Sequence, residues 1–262
     1  MAENTKIEWT DHSFNPWMGC AHAMIPGTTL QHPGCLNCYA EAGAKRNPDV
    51  LGKWGDDGFR VKSKSFLANM RRANARAAKT GVRERVFPSF CDPFEDRPEL
   101  VEWRREMFAV VDECPNIDLL LLTKRPQNIR EMLPVRTYDG SFADTTEQQK
   151  HRLNVWLACS VSNQRTAEVL IPLLTRCHGL SPVLFLSIEP LLGPINLHAV
   201  GNHDGTLANL FDGNCLYVGQ IGGDEYFGTP RGFIRWAIIG GESGGLARPC
   251  DIRWIRSLTE QL

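Results

Sequence analysis

The sequence predicts a single α/β domain, residues 1–262, in which six parallel strands alternate with helices as a partial, open TIM-like barrel. Four short apolar runs bounded by polar or turn residues are typical of strands that are buried on both faces of a parallel sheet. Helical patterns separate these runs, and such alternation is typical of parallel α/β folds. The four runs are Asp118–Thr123, Val155–Val161, Val183–Ile188 and Trp236–Ile239.

Two weaker strands complete the count of six. Residues 5–10 (TKIEWT) predict a short first strand, and Val86–Phe90 predicts the second strand. Six strands suit an open six-stranded barrel better than a closed eight-stranded one. The length of 262 residues is sufficient for one large core of this kind.

The predicted helices follow from composition and from start and stop signals. A helix rich in Ala, Glu and Lys follows Cys35 and ends at the Asn-Pro pair 47–48. Residues 63–80 predict a helix with Ser65 as its cap and Gly81 as its stop. The remaining predicted helices are Arg97–Glu113, Gln127–Leu133, Arg165–Arg176 and Asp251–Gln261.

Two stretches interrupt the alternation. Residues 136–151 are polar and predict a surface loop. Residues 197–233 are rich in glycine and aromatic residues and predict an insertion, with a hairpin over the mouth of the barrel. The chain stops inside a helical pattern, from which we expect its C-terminus to be truncated.

Composition narrows the class of protein. No run of 18 apolar residues exists, so no transmembrane helix is predicted, and the first ten residues lack the apolar core of a signal peptide. We therefore expect a cytoplasmic protein whose nine cysteines are thiols or metal ligands. The net charge of −1 argues against a generally basic nucleic-acid binder. Residues 45–85, however, carry twelve Lys or Arg against four Asp or Glu, which predicts either a polyanion-binding patch or a solvated basic helix.

Polar residues gather where the predicted strands end. In parallel α/β barrels the carboxyl ends of the strands build the active site, although loop starts are often polar for other reasons. Lys124, Glu189 and Glu242 are the candidate catalytic residues on this argument. The glycine run from Gly240 to Gly245 could cradle a phosphate, carboxylate or ribose through its backbone amides.

Three cysteines, Cys20, Cys35 and Cys38, lie within one N-terminal loop spanning 15–38. Structural zinc usually takes four protein ligands, so a zinc site would need His22 or His32 as the fourth. A cubane iron–sulfur cluster can instead be held by three thiolates, which leaves one iron open to a small molecule. Such clusters with S-adenosylmethionine are one route to radical chemistry. Structural thiols without a metal are the remaining alternative.

The chain resembles a phage-associated family of unknown function that is marked by a three-cysteine motif. Genes of that family often lie near a so-called three-Cys-motif partner protein. The family is in turn similar to radical S-adenosylmethionine enzymes, nearest to the spore photoproduct lyase group. A further aromatic-rich strand expected after the last helix is absent here. The resemblance covers nearly the whole chain and rests on KIEWTDHSFNPWMGC, PGCLNCYAE, LLLLTKRP, NVWLACSVSNQ, LFLSIEPLLGPI and WAIIGGESGGLARP.

The resemblance implies a partial (β/α)6 barrel of the radical S-adenosylmethionine type, with a [4Fe–4S] cluster and S-adenosylmethionine as cofactors. It also implies that Cys20, Cys35 and Cys38 are the cluster ligands. The usual motif is C-x3-C-x2-C, whereas the spacing here is C-x14-C-x2-C. The departure therefore lies in the first spacer, and the C-x-x-C half followed by an aromatic residue, Tyr39, is retained.

The resemblance further implies contacts to S-adenosylmethionine. The stretch that begins at Ser89 resembles the motif that holds the methionine amino group, with Asp92 as the main contact and with Glu95 and Asp96 as weaker candidates. Polar residues expected near the cofactor or the substrate farther along the chain are Ser160, Ser162, Glu189, Gly240 and Gly241.

We therefore expect an oxygen-sensitive enzyme that forms a 5′-deoxyadenosyl radical and acts on nucleic acid or a nucleotide. Its expected partners are nucleic acid at segment 45–85, the three-Cys-motif partner protein, and a reductase or flavodoxin-like electron donor, with no membrane partner. One alternative is a nucleic-acid or partner-binding module that zinc or an iron–sulfur cluster stabilises without catalysis. Another is a cluster-containing enzyme that does not use S-adenosylmethionine.

Overall fold

The structure is a computed structural model that describes residues 2–133, 135–136, 142–143, 152–201, 220–221, 224–225 and 234–262. Its strands are β1 (Ala2–Glu3), β2 (His12–Ser13), β3 (Trp17–Met18), β4 (Val61–Lys62), β5 (Glu84–Val86), β6 (Ile117–Thr123), β7 (Val135–Arg136), β8 (Phe142–Ala143), β9 (Val155–Ser160), β10 (Leu184–Ile188), β11 (Gln220–Ile221), β12 (Asp224–Glu225) and β13 (Ile234–Ile239). Its α-helices are α1 (Tyr39–Ala44), α2 (Pro48–Leu51), α3 (Phe66–Thr80), α4 (Pro98–Glu113), α5 (Ile129–Met132), α6 (Gln164–Thr175) and α7 (Ile252–Gln261). Short 3-10 helices cover Pro33–Cys35, Pro126–Asn128 and Leu197–Ala199.

The main sheet contains six parallel strands in the order β2-β5-β6-β9-β10-β13, which is also their order along the chain. Strand β1 adds an antiparallel edge next to β2. This arrangement confirms the predicted α/β class and the parallel sheet. Within the described ranges β2 and β13 do not pair with each other, so the sheet is not a closed barrel.

The central strands β6, β9 and β10 are mainly apolar because both faces of the sheet are covered. In β6, Leu119 and Leu121 pack into the core that the helices share, while Leu120 belongs to a second cluster on the opposite face. Leu121 lies beside Leu157 of β9 in the parallel register. Burial of each such side chain contributes roughly 1.5–3 kcal/mol to stability. The continuous apolar runs that predicted these strands are explained by this two-sided burial.

One face of the sheet carries the helices, and the other carries aromatic residues. Met70 of α3, Phe108 of α4 and Leu170 of α6 all belong to the helix-side core. On the other face, Leu120, Ala158 and Phe185 are buried beneath partly buried side chains. These partly buried residues are Trp9, Leu122, Trp156, Val183, Trp236 and Ile238.

The first predicted strand is misplaced. Residues 5–11 form a turn, because Thr5 N donates to Asp11 O at 3.0 Å and Thr10 N donates to Ile7 O at 3.3 Å. The strand is instead β2, which follows this turn.

The second strand ends earlier than predicted. It is β5, Glu84–Val86, rather than Val86–Phe90. Pro88 has no amide hydrogen and cannot continue a central strand. The amide of Phe90 donates to the side chain of Asn15 at 2.6 Å instead of to a neighbouring strand.

The helix predictions are confirmed with small differences at the ends. Gly81 ends α3 in the left-handed conformation, with φ of 72°. Ser65 precedes that helix as expected, but its side chain makes no capping hydrogen bond. Asn163 caps α6 by accepting from Thr166 N, while the Thr166 hydroxyl accepts from the Asn163 amide.

Most of the predicted loop 136–151 and of the predicted insertion 197–233 lies outside the described residues. None of the helices in the described part of the chain has both the length and the apolar character needed to cross a membrane.

Candidate functional site

A cavity of about 760 Å³ opens at the carboxyl ends of the parallel strands. Each of the six strands, or the segment that directly follows it, sends at least one residue into its wall. Ser13 lies on β2, Asp92 follows β5, and Thr123 ends β6. The other three strands contribute Ser160, Ser187 and Ile239. The predicted clustering of strand ends therefore occurs.

All three cysteines of the N-terminal loop line this cavity. The long spacer between Cys20 and Cys35 folds back on itself, because His32 N donates to Ala23 O at 2.7 Å. Met24 and Gln31 form an antiparallel bridge within the same turn. Cys20 is thereby returned to the C-x-x-C half, despite the fourteen residues that separate it from Cys35.

His32 fixes the start of the C-x-x-C segment against the sheet. Its Nε2 donates to Ser160 O at 3.0 Å and its Nδ1 accepts from Gly34 N at 3.1 Å. Burial, followed by the charge of Lys124, lowers the pKa of His32 to about 3. The ring is therefore neutral at pH 7 with both nitrogens engaged, which leaves neither one available for a metal.

A buried ion pair holds the loop beside Cys20. The carboxylate of Glu95 pairs with the guanidinium of Arg60, and the two side chains are 2% and 0% exposed. The amide of Ala21 donates to Glu95 Oε1 at 3.0 Å. Glu95 was expected to contact the cofactor, but it lies outside the cavity wall, because both of its oxygens serve this anchor.

A second clamp holds the C-x-x-C segment. Asn37, between the two cysteines, donates to Glu242 Oε2 at 3.2 Å, and Glu242 pairs with Arg248. Arg248 also donates to Pro33 O at 2.9 Å. The hydrogen bond from Arg248 is the main cause that lowers the pKa of Glu242 to about 2. Glu242, a candidate catalytic residue from sequence, is therefore an ionised anchor of the cysteine segment.

The cavity concentrates positive charge beside the thiols. Burial raises the pKa of Cys20 and of Cys35 above the ordinary value. Burial lowers the pKa of Lys124, but Cys35, Cys38 and Cys20 in their thiolate form outweigh this effect, so the net shift in the pKa of Lys124 is upward. Among the described residues no carboxylate forms an ion pair with Lys124. This arrangement favours an anionic group among the cysteines.

The described residues do not form a site that could hold a single metal ion. No group of three or more His, Cys, Asp or Glu side chains in the described ranges is close enough to hold one ion. A single zinc ion needs its sulfurs within roughly 4 Å of one another, because each Zn–S bond is about 2.3 Å. Thiolates of a cubane bind different irons and lie farther apart. The buried indole nitrogen of Trp54, a wall residue, has no acceptor among the described residues, and a cluster sulfide would supply one.

Of the two histidines proposed as a fourth zinc ligand, this geometry excludes His32, whereas His22 keeps Nδ1, since a carboxylate on the other ring nitrogen is usual for a metal-binding histidine. Both nitrogens of His32 are engaged, as described above. His22 lies in the cavity wall, and its Nε2 contacts Glu41 Oε2 at 2.8 Å.

Asp92 lies in the wall as expected, and its carboxylate is already well bonded. Oδ1 accepts from Thr123 Oγ1 at 2.6 Å and from Phe94 N at 3.0 Å, while Oδ2 accepts from Arg125 at 2.6 Å. A carboxylate has about four acceptor positions, so one on Oδ2 remains for a ligand. Ser89 also lines the cavity, and its hydroxyl contacts that of Ser13 at 2.5 Å.

The opposite wall is built by Glu189 with Gly240 and Gly241. Burial raises the pKa of Glu189, whose carboxyl group accepts no hydrogen bond from any described residue. A methyl group at Gly240 would lie 3.2 Å from the carboxyl carbon of Glu189, so a larger residue there would require the Glu189 side chain to shift by a few tenths of an ångström.

Of the two serines after the fourth predicted strand, only one reaches the site. Ser160 lies in the cavity wall, whereas Ser162 does not. The Ser162 hydroxyl is buried without a partner among the described residues and lies behind Gly34. The weaker candidate Asp96 is likewise not a wall residue.

Sequence reasoning missed several wall residues. The turn that contains Lys6 and Trp9 was predicted as a strand, and neither Trp54 nor Cys91 was among the predicted site residues; all four line the cavity. Tryptophan inside the Gly- and Asp-rich stretch 49–60 was the available signal, since such a loop rarely buries an indole.

The basic face of α3 is largely paired with carboxylates. Arg71 contacts Glu113 at 2.5 Å, and Arg76 contacts Glu84 at 2.6 Å. Arg72 and Arg76 both lie near Glu3. The charge excess of segment 45–85 is reduced in the folded chain, because acids from outside that segment also lie against it.

A family model described as "Protein of unknown function (DUF5131)" matches residues 4–262. A comparison with curated proteins gave no match. A comparison with solved structures also gave none.

Proposed function

The chain belongs to the DUF5131 family of proteins of unknown function, and we propose that it is a radical S-adenosylmethionine enzyme. In this proposal Cys20, Cys35 and Cys38 hold a [4Fe–4S] cluster, and the substrate is a nucleotide or a nucleic acid. The observation that carries the proposal is the convergence of these three cysteines and Lys124 with the ends of six parallel strands on one cavity.

The sheet topology supports the finer fold assignment. Doubly wound α/β sheets reverse their strand order at a switch point, whereas here neighbouring strands follow the order of the chain. A sequential parallel sheet with helices packed on one face is what a partial (β/α)6 barrel requires. We therefore propose an open barrel whose active site lies at the strand carboxyl ends.

Cys20, Cys35 and Cys38 would hold the cluster, which, once reduced by an external electron donor, would supply the one electron needed to cleave S-adenosylmethionine into methionine and a 5′-deoxyadenosyl radical. Three thiolates leave one iron of the cluster open to a ligand. Lys124 offsets the negative charge of the cluster and attracts the methionine carboxylate. The remaining acceptor position of Asp92 receives the methionine ammonium group.

Glu189 and Gly240 form the part of the wall that we assign to the ribose. The carboxyl group of Glu189 offers hydrogen bonds that no described residue takes, and ribose hydroxyl groups can accept and donate such bonds. Gly240 lets a ligand lie against the backbone.

Aromatic side chains at the floor of the cavity support a planar substrate. Trp9 and Phe87 line the cavity, with ring centroids 4.6 Å apart, and Trp9 packs edge-on against Trp236 at 6.1 Å. Nucleobases stack on such side chains. A base inside a duplex would have to be flipped out to reach this floor.

The decisive experiment is anaerobic purification and reconstitution, with metal analysis and a cofactor-cleavage assay. We expect about four irons per chain, absorbance near ~400 nm, and 5′-deoxyadenosine after reduction with dithionite in the presence of S-adenosylmethionine. Stoichiometric zinc without iron would overturn the proposal. A cluster that leaves S-adenosylmethionine uncleaved, with an EPR signal that the cofactor does not move, would favour a different cluster enzyme.

Single cysteine variants localise the cluster. Cys20→Ala, Cys35→Ala and Cys38→Ala should each lose most of the iron. Cys177→Ala is the matched control, because Cys177 is buried in the helix-side core and does not line the cavity. Iron content in that control should equal that of the unmodified protein.

A further inference from the structure

Arg125 lies between Asp92 and the backbone of the cysteine loop. One nitrogen, Nη1, donates to Asp92 Oδ2 at 2.6 Å and lies 3.8 Å from Cys20 Sγ. The other nitrogen, Nη2, donates to Ala21 O at 3.0 Å. Its side chain is 11% exposed. One guanidinium group therefore contacts an expected cluster ligand, the loop that carries that ligand, and an expected cofactor contact.

The position of Arg125 is itself fixed by the end of β6. The amide of Arg125 donates to Thr123 Oγ1 at 2.8 Å, and the same hydroxyl donates to Asp92. The rigid planar fork of arginine can serve two acceptors at once, which the single ammonium of lysine does less well. Movement of either Asp92 or Cys20 would therefore disturb the other through this residue.

We propose that Arg125 is a positioning residue that anchors Cys20 for cluster binding and raises the reduction potential of the bound cluster. This inference rests on the proposed function. A positive charge beside a ligand sulfur stabilises the reduced cluster, which carries one more negative charge than the oxidised cluster. Net charge and hydrogen bonds to the sulfurs are among the factors that set such potentials.

The alternative is that Arg125 only neutralises Asp92. In that case Arg125→Met would change the potential only by unmasking the charge of Asp92, which also acts on Cys20, so Arg125→Met combined with Asp92→Asn would return the potential of the cofactor-free cluster to the unmodified value. The potential of this double variant, measured without S-adenosylmethionine, therefore separates the two roles. Hydrogen–deuterium exchange of the loop amides tests the anchoring separately from the charge effect. It can be followed in iron-free protein, in which there is no cluster for the charge to act on.

The test compares Arg125→Met, which removes the charge, with Arg125→Lys, which keeps it. Arg130→Met is the matched control, because Arg130 is an exposed arginine of α5 that donates to Arg176 O. EPR-monitored redox titration of each loaded protein gives the potential. The rate of hydrogen–deuterium exchange in a peptide covering residues 17–25, measured in iron-free protein, shows how firmly the loop is anchored.

We expect Arg125→Met to lower the equilibrium constant for cluster reduction about tenfold, or about 59 mV for one electron. Arg125→Lys should stay within about threefold of the unmodified protein, because the charge is retained. The Met variant should speed exchange of the 17–25 amides at least several-fold, the Lys variant less, and Arg130→Met not at all. Loss of iron by Arg125→Met in a folded protein would also support the anchoring.

Three results would overturn the inference. One is an unchanged potential in a fully loaded Arg125→Met protein, and another is an equal fall in potential in the Met and Lys variants. The third is a return to the unmodified potential when Arg125→Met is combined with Asp92→Asn. Failure of the proposed function looks different, since the unmodified protein would then take up no iron or would not cleave S-adenosylmethionine.

Discussion

The Arg60 guanidinium and the Glu95 carboxylate form a buried ion pair directly beneath the cysteine loop, and Glu95 also accepts the Ala21 amide at 3.0 Å. Arg60 follows the glycine- and aspartate-rich loop, and Glu95 follows β5, so the contact joins two distant parts of the chain. The pair links the stability of the fold to the position of Cys20.

Arg60→Met should destabilise the protein by about 3–5 kcal/mol, because it leaves the charge of Glu95 buried without its partner. The measurement is the free energy of unfolding from urea titration. Arg105→Met is the control, since Arg105 forms an exposed pair with Glu102 at 3.7 Å and should cost less than about 1 kcal/mol. Equal losses in the two variants would contradict the assigned role of the buried pair.

The Glu242–Arg248 pair should make stability depend on pH in the acid range. The pKa of Glu242 is lowered from 4.5 to about 2, so its contribution is complete above pH 4.5 and is lost as the pH falls toward 2. Glu242→Gln should cost about 1–2 kcal/mol at neutral pH, a value reduced because Arg248 is partly exposed.

The difference between the unmodified protein and Glu242→Gln should shrink as urea unfolding is repeated at lower pH. Glu260→Gln, at an exposed position of α7, is the control and should cost little at any pH. A cost of Glu242→Gln that stays constant down to the acid limit would show that the pair does not act through the charge of Glu242.

His32 should contribute a second pH dependence, in a higher window. Because burial lowers its pKa from 6.5 to about 3, the unfolded chain binds a proton that the folded chain refuses. Stability from this source is complete above pH 6.5 and falls below it, by up to about 1.4 kcal/mol per pH unit. His32→Gln should flatten the change between about pH 7 and about pH 5.5, as measured by urea midpoints.

The exposed residue His198 provides the comparison for His32. His198→Gln should keep the slope of the unmodified protein in the same window. If both variants retain that slope, the neutral buried state of His32 is not its cause.

Cys91 lines the cavity, yet we expect it to be dispensable for the cluster. Burial raises the pKa of its thiol, and its side chain packs against the helix-side core. Cys91→Ala should retain about four irons and lose about 1 kcal/mol of stability. Iron loss as large as in Cys20→Ala would identify Cys91 as a fourth ligand of the cluster. A fourth thiolate would occupy the coordination position that we propose for S-adenosylmethionine.

Trp9→Leu should weaken binding of a nucleoside monophosphate roughly five- to a hundredfold, because stacking of one base is worth about 1–3 kcal/mol. Isothermal titration with adenosine and thymidine monophosphates measures this change. Trp103→Phe is the control for loss of an indole, since Trp103 lies on α4 next to Lys62, away from the cavity.

The doubly charge-reversed variant Arg71→Glu with Arg72→Glu tests the basic helix separately. Weakened nucleic-acid binding with a flatter salt dependence would support a contact there. Because both arginines already lie near carboxylates, we expect a smaller effect on mononucleotide binding than from Trp9→Leu. A larger effect of the double arginine variant than of Trp9→Leu on mononucleotide binding would place the substrate contact on α3 rather than at the cavity floor.

Much of the fold could be predicted from the sequence because a strand that is buried on both faces gives a continuous apolar run in a short stretch of chain. The run Leu119–Leu122 is apolar without a break, since β6 is covered on both faces. Gly81 marks the end of α3 because it adopts a left-handed conformation that other residues rarely adopt. The C-x-x-C segment and the polar strand ends also follow from short stretches of chain, and the cavity contains most of them.

The tertiary structure decided which polar residues face the cavity and which hold the loop. Glu95 and Glu242 follow strands, as the polar residues of the cavity wall do, and the sequence does not distinguish them. In the structure Glu95 holds the loop through Ala21, 74 positions away, and Glu242 holds it through Asn37, 205 positions away. The spacer itself folds back through the local contact of His32 with Ala23, but the place of the folded loop against the sheet depends on these long-range hydrogen bonds. Spacing along the chain does not encode such bonds, because their geometry exists only once the sheet has brought the strand ends together.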